Sequence, residues 1–235
     1  MTAPVIHCVT TLDLTFRPSP WAFAEQRRAE IEAHFADKQR EKPELFNGRV
    51  LLGRKPVFAG THFSAQFFET DFASFLAWRD FGYPDDEVFN GFGMGALRGS
   101  DGVYVLGEMS PGSANGGRIY FAAGTPDRDD LRGDSVDIAG SVRREVEEET
   151  GLVPADYRAA ADWHCVVTSH SIALMRILDV AMPGEALRLK IEANLAQQTA
   201  PELCAMHLVR GVGDFTPAMP LFVTAFIEAQ LACVA

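Results

Sequence analysis

The sequence has few cysteines and no long apolar run, and these two absences narrow the classes of protein to which it can belong. Its four cysteines, Cys8, Cys165, Cys204 and Cys233, lie far apart in the chain. We therefore expect free thiols in a reducing cytoplasm, and the spacing argues against a zinc site. No apolar stretch approaches the length of a membrane span, and the first residues lack the basic start and apolar core of a signal peptide. These features predict a cytoplasmic protein that does not enter a membrane.

Positive charge is also scarce. The chain has 235 residues, of which 21 are Lys or Arg and 32 are Asp or Glu, so its net charge is -11. This balance disfavours nucleic acid as a partner, because binding to phosphates needs basic side chains. A small phosphorylated ligand stays compatible with it, since a divalent ion can meet the charge of that ligand locally. The content of 47% hydrophobic and 23% charged residues is that of an ordinary globular protein.

Four glutamates are concentrated in one short segment, Arg144-Glu145-Val146-Glu147-Glu148-Glu149-Thr150-Gly151-Leu152. On a helix, Glu145 lies three and four residues before Glu148 and Glu149, so these three carboxylates share one face. Like charges at this spacing repel one another, and a bound cation would relieve the repulsion; oxygen ligands of this kind suit Mg²⁺ or Mn²⁺. Arg144 lies four residues before Glu148 and can hold it by a charge-assisted hydrogen bond. A solvated helix face without a ligand is the alternative interpretation of such a run.

The surrounding sequence predicts a helix that begins at Asp137 or Ile138 and ends at Thr150. Asp137 is a suitable N-cap, and Gly151 suits the left-handed position that ends a helix. Apolar residues recur at four-residue spacing and predict a core-facing stripe opposite the carboxylates: Ile138, Val142 and Val146.

The order R-E-V-E-E-E-T-G-L resembles the core of the Nudix box, R-E-U-x-E-E-x-G-U, in which U is a bulky aliphatic residue. Every specified position of that core is filled, by Arg144, Glu145, Val146, Glu148, Glu149, Gly151 and Leu152.

The first half of the box fits less well. The residue eight positions before the arginine is Val136, where the family has a glutamate. We take Gly124, at the end of a predicted strand, as the box glycine, and the polar segment 127–134 as an insertion. Asp130 keeps the spacing from glycine to acid, whereas Asp137 lies one residue from the usual distance to the arginine. Which of these two replaces the missing glutamate stays open at this point.

The resemblance implies a hydrolase that uses Mg²⁺ or Mn²⁺ to cleave the pyrophosphate of a nucleoside diphosphate linked to another group, such as a nucleotide sugar or coenzyme A. It implies that Glu148 and Glu149 are metal ligands and that Glu145 is a ligand or the general base. Arg144 would orient a glutamate. The implied partner is a small nucleotide, and a homodimer is left open.

Other residues receive roles by the same resemblance. Gly124 would let its loop approach the metal-binding helix closely. Arg118 faces either a substrate phosphate or solvent, and the sequence favours neither. Some family members take the general base from a later loop, for which Glu202 and Asp214 are candidates, although each is also explained as a solvated loop residue. His170 is interpreted as a turn histidine without a role.

The order of predicted elements after residue 88 is β-β-β-α-β-β-α-β-α, which indicates a mixed sheet between helices. The resemblance implies the Nudix α/β/α sandwich for residues 89–235. Residues 1–88 are predicted to form an N-terminal α+β extension that packs against it, with the break at 82–86 as the boundary. Two alternatives to an enzyme were weighed: a catalytically inactive Nudix-fold sensor that binds a nucleotide, and a structural module with a merely acidic helix. A sensor would be expected to have lost box glutamates, and all three are present.

Overall fold

One long strand joins two parts of a large sheet. The structure, a computed structural model, describes residues 3–234. Its strands are β1 (Val5–Val9), β2 (Thr11–Phe16), β3 (Arg49–Ala59), β4 (His62–Asp71), β5 (Val88–Arg98), β6 (Tyr104–Met109), β7 (Ile119–Tyr120), β8 (Ala122–Gly124), β9 (Leu131–Arg132), β10 (Ser135–Val136), β11 (Tyr157–Ala159), β12 (Trp163–Val167), β13 (Ser171–Val180) and β14 (Leu203–Val209). Its helices are α1 (Ala22–Gln26), α2 (Arg28–Glu41), α3 (Phe72–Asp80), α4 (Ile138–Thr150), α5 (Gly184–Leu195) and α6 (Leu221–Val234), with short 3₁₀ helices at Arg128–Asp130 and Val212–Asp214.

The joining strand is β5. The strand order is β1-β12-β13-β5-β3-β4-β2-β10-β9, with β6, β8 and β11 attached beside this path. Strand β5 runs parallel to β13 over most of its length, and it is antiparallel to β3 at its start and to β8 near its middle. Parallel and antiparallel pairs meet on this one strand, so the predicted mixed sheet of an α/β fold is confirmed.

Helices cover both faces of the sheet around β5. Successive residues of a strand point to opposite faces. A side chain at Gly93 would meet Ile138 and Val142 of α4, whereas the ring of the preceding Phe92 contacts Phe222 of α6, with 5.4 Å between centroids. Helix α4 therefore lies on one face and α6 on the other, which is the layered arrangement expected from the sequence.

The N-terminal segment has an apolar cluster of its own and also joins the main sheet. The cluster is formed within residues 21–88 and includes the fully buried Trp78. Burying one such large apolar side chain contributes about 1.5–3 kcal/mol. Both Trp21 and Trp78 donate their indole N–H to Asp85, at 2.8 and 3.0 Å. Strand β1 nevertheless pairs with β12, and β3 with β5. The division at residue 88 stays a prediction, and strand pairing crosses it.

Several predicted elements have different bounds in the structure. The mix of apolar and polar residues over 5–16 predicts one strand, but the structure has two, β1 and β2, which pair with different neighbours. The pattern over 21–36 predicts one helix, but the helix is interrupted at Arg27, where φ is -109° and ψ is 22°, and it continues to Glu41. The insertion at 127–134 is not a plain loop, because it contains a 3₁₀ helix and part of a small hairpin. Within residues 3–234, no helix is long and apolar enough to cross a membrane.

Candidate functional site

Helix α4 carries the acidic segment and has the bounds that were predicted for it. The Asp137 side chain accepts a hydrogen bond from the amide of Gly140 at 2.8 Å and so caps the first turn. Gly151 ends the helix with a left-handed backbone at φ 74°. Val142 and Val146 are buried on the sheet side. Because this apolar stripe faces the sheet, the rotation of the helix about its axis is set, and so is the direction of its glutamates.

The three box glutamates differ strongly in exposure. Glu149 is only 3% exposed; its Oε1 accepts a long hydrogen bond from the amide of Ala123 at 3.4 Å, and its Oε2 is buried without a hydrogen-bond partner among the described residues. Glu145 is largely buried, whereas the Glu148 side chain is 61% exposed. Burial and the neighbouring carboxylates raise the pKa of Glu145 to about 7 and hold the pKa of Glu149 well above its ordinary value. Two acids are thus held where an anion is poorly solvated.

Gly124 lies directly against the carboxyl group of Glu145. A Cβ at this position would collide with Oε1 and with the carboxyl carbon of that side chain. The absence of a side chain at Gly124 is what allows strand β8 and helix α4 to approach so closely. The geometry agrees with the role that the resemblance implied for this glycine.

Arg144 is held between two acids. Its guanidinium donates to Glu145 Oε1 at 2.7 Å and to both carboxyl oxygens of Asp130 at 3.1 Å, and it lies 3.6 Å from Glu148. Burial acts to lower the pKa of Arg144, but Glu145 and Asp130 outweigh it and raise the pKa. Of the two acids that the sequence left open, Asp130 therefore contacts the arginine, and it is 3% exposed. Asp137 instead caps the helix.

A further glutamate approaches the cluster from a distant loop. The charge of Glu202 raises the pKa of both Glu145 and Glu149, so its carboxylate lies near theirs. Its loop is attached to the sheet by the hydrogen bond from the Ser110 amide to the Glu202 carbonyl, at 2.8 Å. Asp214 has a different environment: its side chain accepts from the amide of Arg210 at 2.7 Å and caps a 3₁₀ turn.

The donor types of these acids fit a divalent cation, while the carboxylate oxygens of Glu145, Glu148 and Glu149 do not all lie within 4.8 Å of one another in the structure. The donors are carboxylate oxygens, which hard cations such as Mg²⁺ and Mn²⁺ prefer. Glu149 Oε2 has no partner in the described chain, and a buried acceptor of this kind is costly unless something binds it. Arg144 offsets part of the negative charge but donates to Glu145 and Asp130, not to Glu149. A cation would complete the coordination of the buried oxygen and relieve the crowding.

A cavity of about 380 Å³ lies between α3 and the face of the sheet that α6 covers, and it is lined by Ala123, whose amide donates to Glu149. Arg118 lines the cavity and is also exposed to solvent, so both of its predicted roles stay open. Sequence reasoning missed two other lining residues: Tyr83 was taken as part of a break and His170 as a turn residue without a role. They are 87 positions apart, and only the persistence of aromatic residues on both sides of the break hinted at packing there.

A second group of metal-binding residue types lies elsewhere. Strand β1 pairs with β12 so that Cys8 stands opposite His164, and ligand atoms of Cys8, Asp162 and His164 all lie within 4.8 Å of one another. The scattered cysteines gave no sign of this proximity. Cys8 is exposed and donates to Asp162 at 3.3 Å.

This chain is similar to known proteins in structure and not detectably in sequence. No protein-family model and no curated protein matches the sequence. Among solved structures, a Nudix hydrolase from M. smegmatis, RenU, is 15% identical with a TM-score of 0.40, over 63% of this chain and 89% of that one. The MutT protein from Methanosarcina mazei Go1 is 18% identical with a TM-score of 0.39, over 62% and 95%. Both are similarities in structure at low sequence identity.

Proposed function

We propose that the chain is a Nudix pyrophosphohydrolase that uses Mg²⁺ or Mn²⁺ to hydrolyse a nucleoside diphosphate linked to another group. The observation that carries the proposal is the buried carboxylate cluster of Glu145 and Glu149 beside the exposed Glu148. These residues fill the specified acidic positions of the box, and Gly124 lies against them as the box glycine would. A structural module with a solvated acidic helix does not explain why two of the three acids are buried.

The side chains of this cluster would have different roles in hydrolysis. Glu148 and Glu149 would hold the cation through carboxylate oxygens, and Glu145 would be either a third ligand or the general base. A cation bound there would offset the charge of the pyrophosphate oxygens and lower the pKa of a coordinated water. Arg144 is a positioning residue, because it fixes the Glu145 carboxylate from one side while Asp130 fixes the guanidinium.

The general base is taken to be Glu145, with Glu202 as the alternative. A base has to accept a proton near neutral pH, and the pKa of Glu145 at about 7 meets that condition before a cation binds. Glu202 is exposed on a loop, and its charge raises the pKa of both Glu145 and Glu149. Hydrolysis would then release two phosphate monoesters, one on each side of the cleaved anhydride.

Other expectations stay predictions from the sequence. They are the division into an extension over residues 1–88 and a hydrolase domain over 89–235, the cytoplasmic location, and a small nucleotide as the partner in place of nucleic acid. A homodimer stays open.

The proposal is tested with a panel of nucleotide sugars, dinucleotides and coenzyme A in the presence of Mg²⁺ or Mn²⁺, with the phosphate monoester products measured. We expect one compound class to be hydrolysed and Glu148→Gln to reduce kcat by at least about a hundredfold. Glu147→Gln is the matched control, because Glu147 is an exposed neighbour outside the specified box positions. Hydrolysis that Glu148→Gln leaves intact would remove Glu148 from the mechanism. Nucleotide binding with no hydrolysis by the wild type would favour the sensor.

A further inference from the structure

We propose that the cavity between α3 and the sheet binds the nucleobase of the substrate, so that the N-terminal segment selects which nucleotide is hydrolysed. The identity of the ligand as a nucleotide rests on the proposed function. The location of the base rests on the cavity itself, through its aromatic walls, its polar lining with the unpaired Nδ1 of His170, and its position beside strand β8.

The walls of the cavity are formed largely by flat rings from both parts of the chain. Helix α3 contributes Phe72, Phe75 and Trp78, and the sheet with α6 contributes Phe92 and Phe222. A volume of about 380 Å³ lies within the range of small-molecule sites. Aromatic rings stack on any base, because every base has a π face. A purely aliphatic ligand would gain nothing from the flat shape of these walls.

One wall is a preformed stack. The rings of Tyr83 and His170 are 4.0 Å apart between centroids and only 11° from parallel, and Trp78 meets Tyr83 edge-on at 4.8 Å. Tyr83 has a φ of 60°, which is uncommon for a residue with a bulky side chain. Its amide donates to the Trp78 carbonyl at 2.9 Å, and this bond helps to hold the turn. Strained backbone of this kind is concentrated at binding sites, where surrounding contacts maintain it.

The cavity also presents polar groups that can read the edge of a base. His170 Nδ1 is buried and has no hydrogen-bond partner in the described part of the chain. The amides of Asn90 and Asn115 line the same space, as do the cationic side chains of Arg79 and Arg118. A base edge offers donors and acceptors together, so it can pair with an imidazole nitrogen and with amides. The arginines add positive charge to the lining of the cavity, although Arg79 is also paired with Asp80 at 3.2 Å.

The position of the cavity links the base to the reacting bond. Ala123 of strand β8 lines the cavity, while its amide donates to Glu149 Oε1 at 3.4 Å. The next residue, Gly124, lies against Glu145. A nucleotide whose base fills the cavity therefore has its phosphates beside the edge of β8 and next to the carboxylates. Substrate selection is thereby assigned to α3 and Tyr83, which precede the box in sequence.

The test measures the binding of ADP, GDP, CDP and UDP in EDTA, by calorimetry and by quenching of tryptophan fluorescence. The variants are Tyr83→Gly, which suits the left-handed backbone at that position, and His170→Ala. The matched control is His7→Ala. His7 also stacks on an aromatic ring, that of Phe58, with 3.9 Å between the ring centroids, but it does not line the cavity. We expect one or two of the four nucleotides to bind best and each cavity variant to weaken that binding by about tenfold. The control is expected to bind as the wild type does.

The inference is overturned if none of the four nucleotides binds, if all four bind with equal affinity, or if Tyr83→Gly and His170→Ala bind as His7→Ala does. Steady-state kinetics on a hydrolysed substrate separate it from the proposed function. A rise in KM with kcat unchanged in Tyr83→Gly supports the base pocket. Nucleotide binding that depends on Tyr83, without any hydrolysis by the wild type, would remove the enzyme and leave the pocket.

Discussion

Replacing Gly124 with alanine is the sharpest test of the carboxylate cluster. The new Cβ would collide with the Glu145 carboxyl group, which is the far end of a flexible side chain. The backbone of Gly124 is not left-handed, so alanine itself is tolerated. We therefore expect the glutamate to rotate away and to lose its 2.7 Å hydrogen bond from Arg144, while the fold persists.

The expected change in the stabilisation of the protein by a bound cation follows from the loss of one oriented ligand. A cation at a concentration of 100 times its Kd stabilises a protein by about 2.7 kcal/mol. If displacement of Glu145 weakens binding about tenfold, which is the lower end for disturbed metal sites, the same concentration contributes about 1.4 kcal/mol. The difference of about 1.3 kcal/mol corresponds to roughly 3–5 °C in Tm for a chain of this size. Without the cation, we expect the free energy of unfolding to change by less than about 1 kcal/mol.

The assay is thermal unfolding with Mn²⁺ and with EDTA, followed by circular dichroism. Gly213→Ala is the control, because a Cβ at Gly213 meets nothing within 4 Å and its φ is not in the left-handed region. The shift in Tm caused by Mn²⁺ should be smaller in Gly124→Ala and unchanged in Gly213→Ala. Equal shifts in both variants and in the wild type would refute the view that Gly124 sets the position of a metal ligand.

Three further predictions concern stability. Asp71 caps α3 by accepting from the Ser74 amide at 2.9 Å and pairs with Arg28 at 3.0 Å, so Asp71→Ala should cost about 1–2 kcal/mol in urea unfolding. Burial acts to raise the pKa of Asp71, but the hydrogen bonds from Arg28 and Ser74 lower it overall. The contribution of Asp71 to the free energy of unfolding is therefore present at pH 7 and is lost as the pH falls below about 4. Gly151→Ala should lower the free energy of unfolding by about 1–2 kcal/mol, because the backbone at Gly151 is left-handed, with φ at 74°. Thermal unfolding measures this loss. In EDTA at pH 8, Glu149→Gln should unfold at a higher urea concentration than the wild type. Burial raises the pKa of Glu149 in the folded protein, and a carboxyl group whose pKa is raised by folding lowers the free energy of unfolding at any pH above the pKa of that group in the unfolded chain.

Each of these predictions has an outcome that contradicts it. A loss in Asp71→Ala that stays the same from pH 7 to pH 3 would mean that the charge of the cap plays no part. Wild-type stability of Gly151→Ala would show that the end of α4 relaxes freely. A Glu149→Gln variant that is less stable than the wild type in EDTA would show that the buried carboxylate is already compensated within the protein.

Local signals were sufficient for the elements that carry the box. The bounds of α4 were predicted within one residue, because a capping side chain, apolar spacing and a terminal glycine act within one or two turns of a helix. The same kind of signal failed at Arg27, where the break between α1 and α2 has no glycine or proline to mark it.

Contacts between distant segments could not be predicted in this way. The sequence offered Asp130 and Asp137 equally as the acid that replaces the box glutamate, because spacing along an irregular insertion does not say where a side chain points. The structure brings Asp130 to Arg144. Likewise, Tyr83 and His170 become neighbours only when the turn after α3 folds against the loop between β12 and β13.

The sequence by itself determined that one helix carries an arginine and three carboxylates on a common face, and that the chain has a net charge of -11. Periodicity and charge are properties of neighbouring residues, so they are readable before folding. Only the tertiary structure decided which of these carboxylates are buried and which acid forms an ion pair with Arg144. It also decided where the cavity lies. Burial is set by segments far apart in the chain, and the perturbed pKa values of Glu145 and Glu149 follow from that burial.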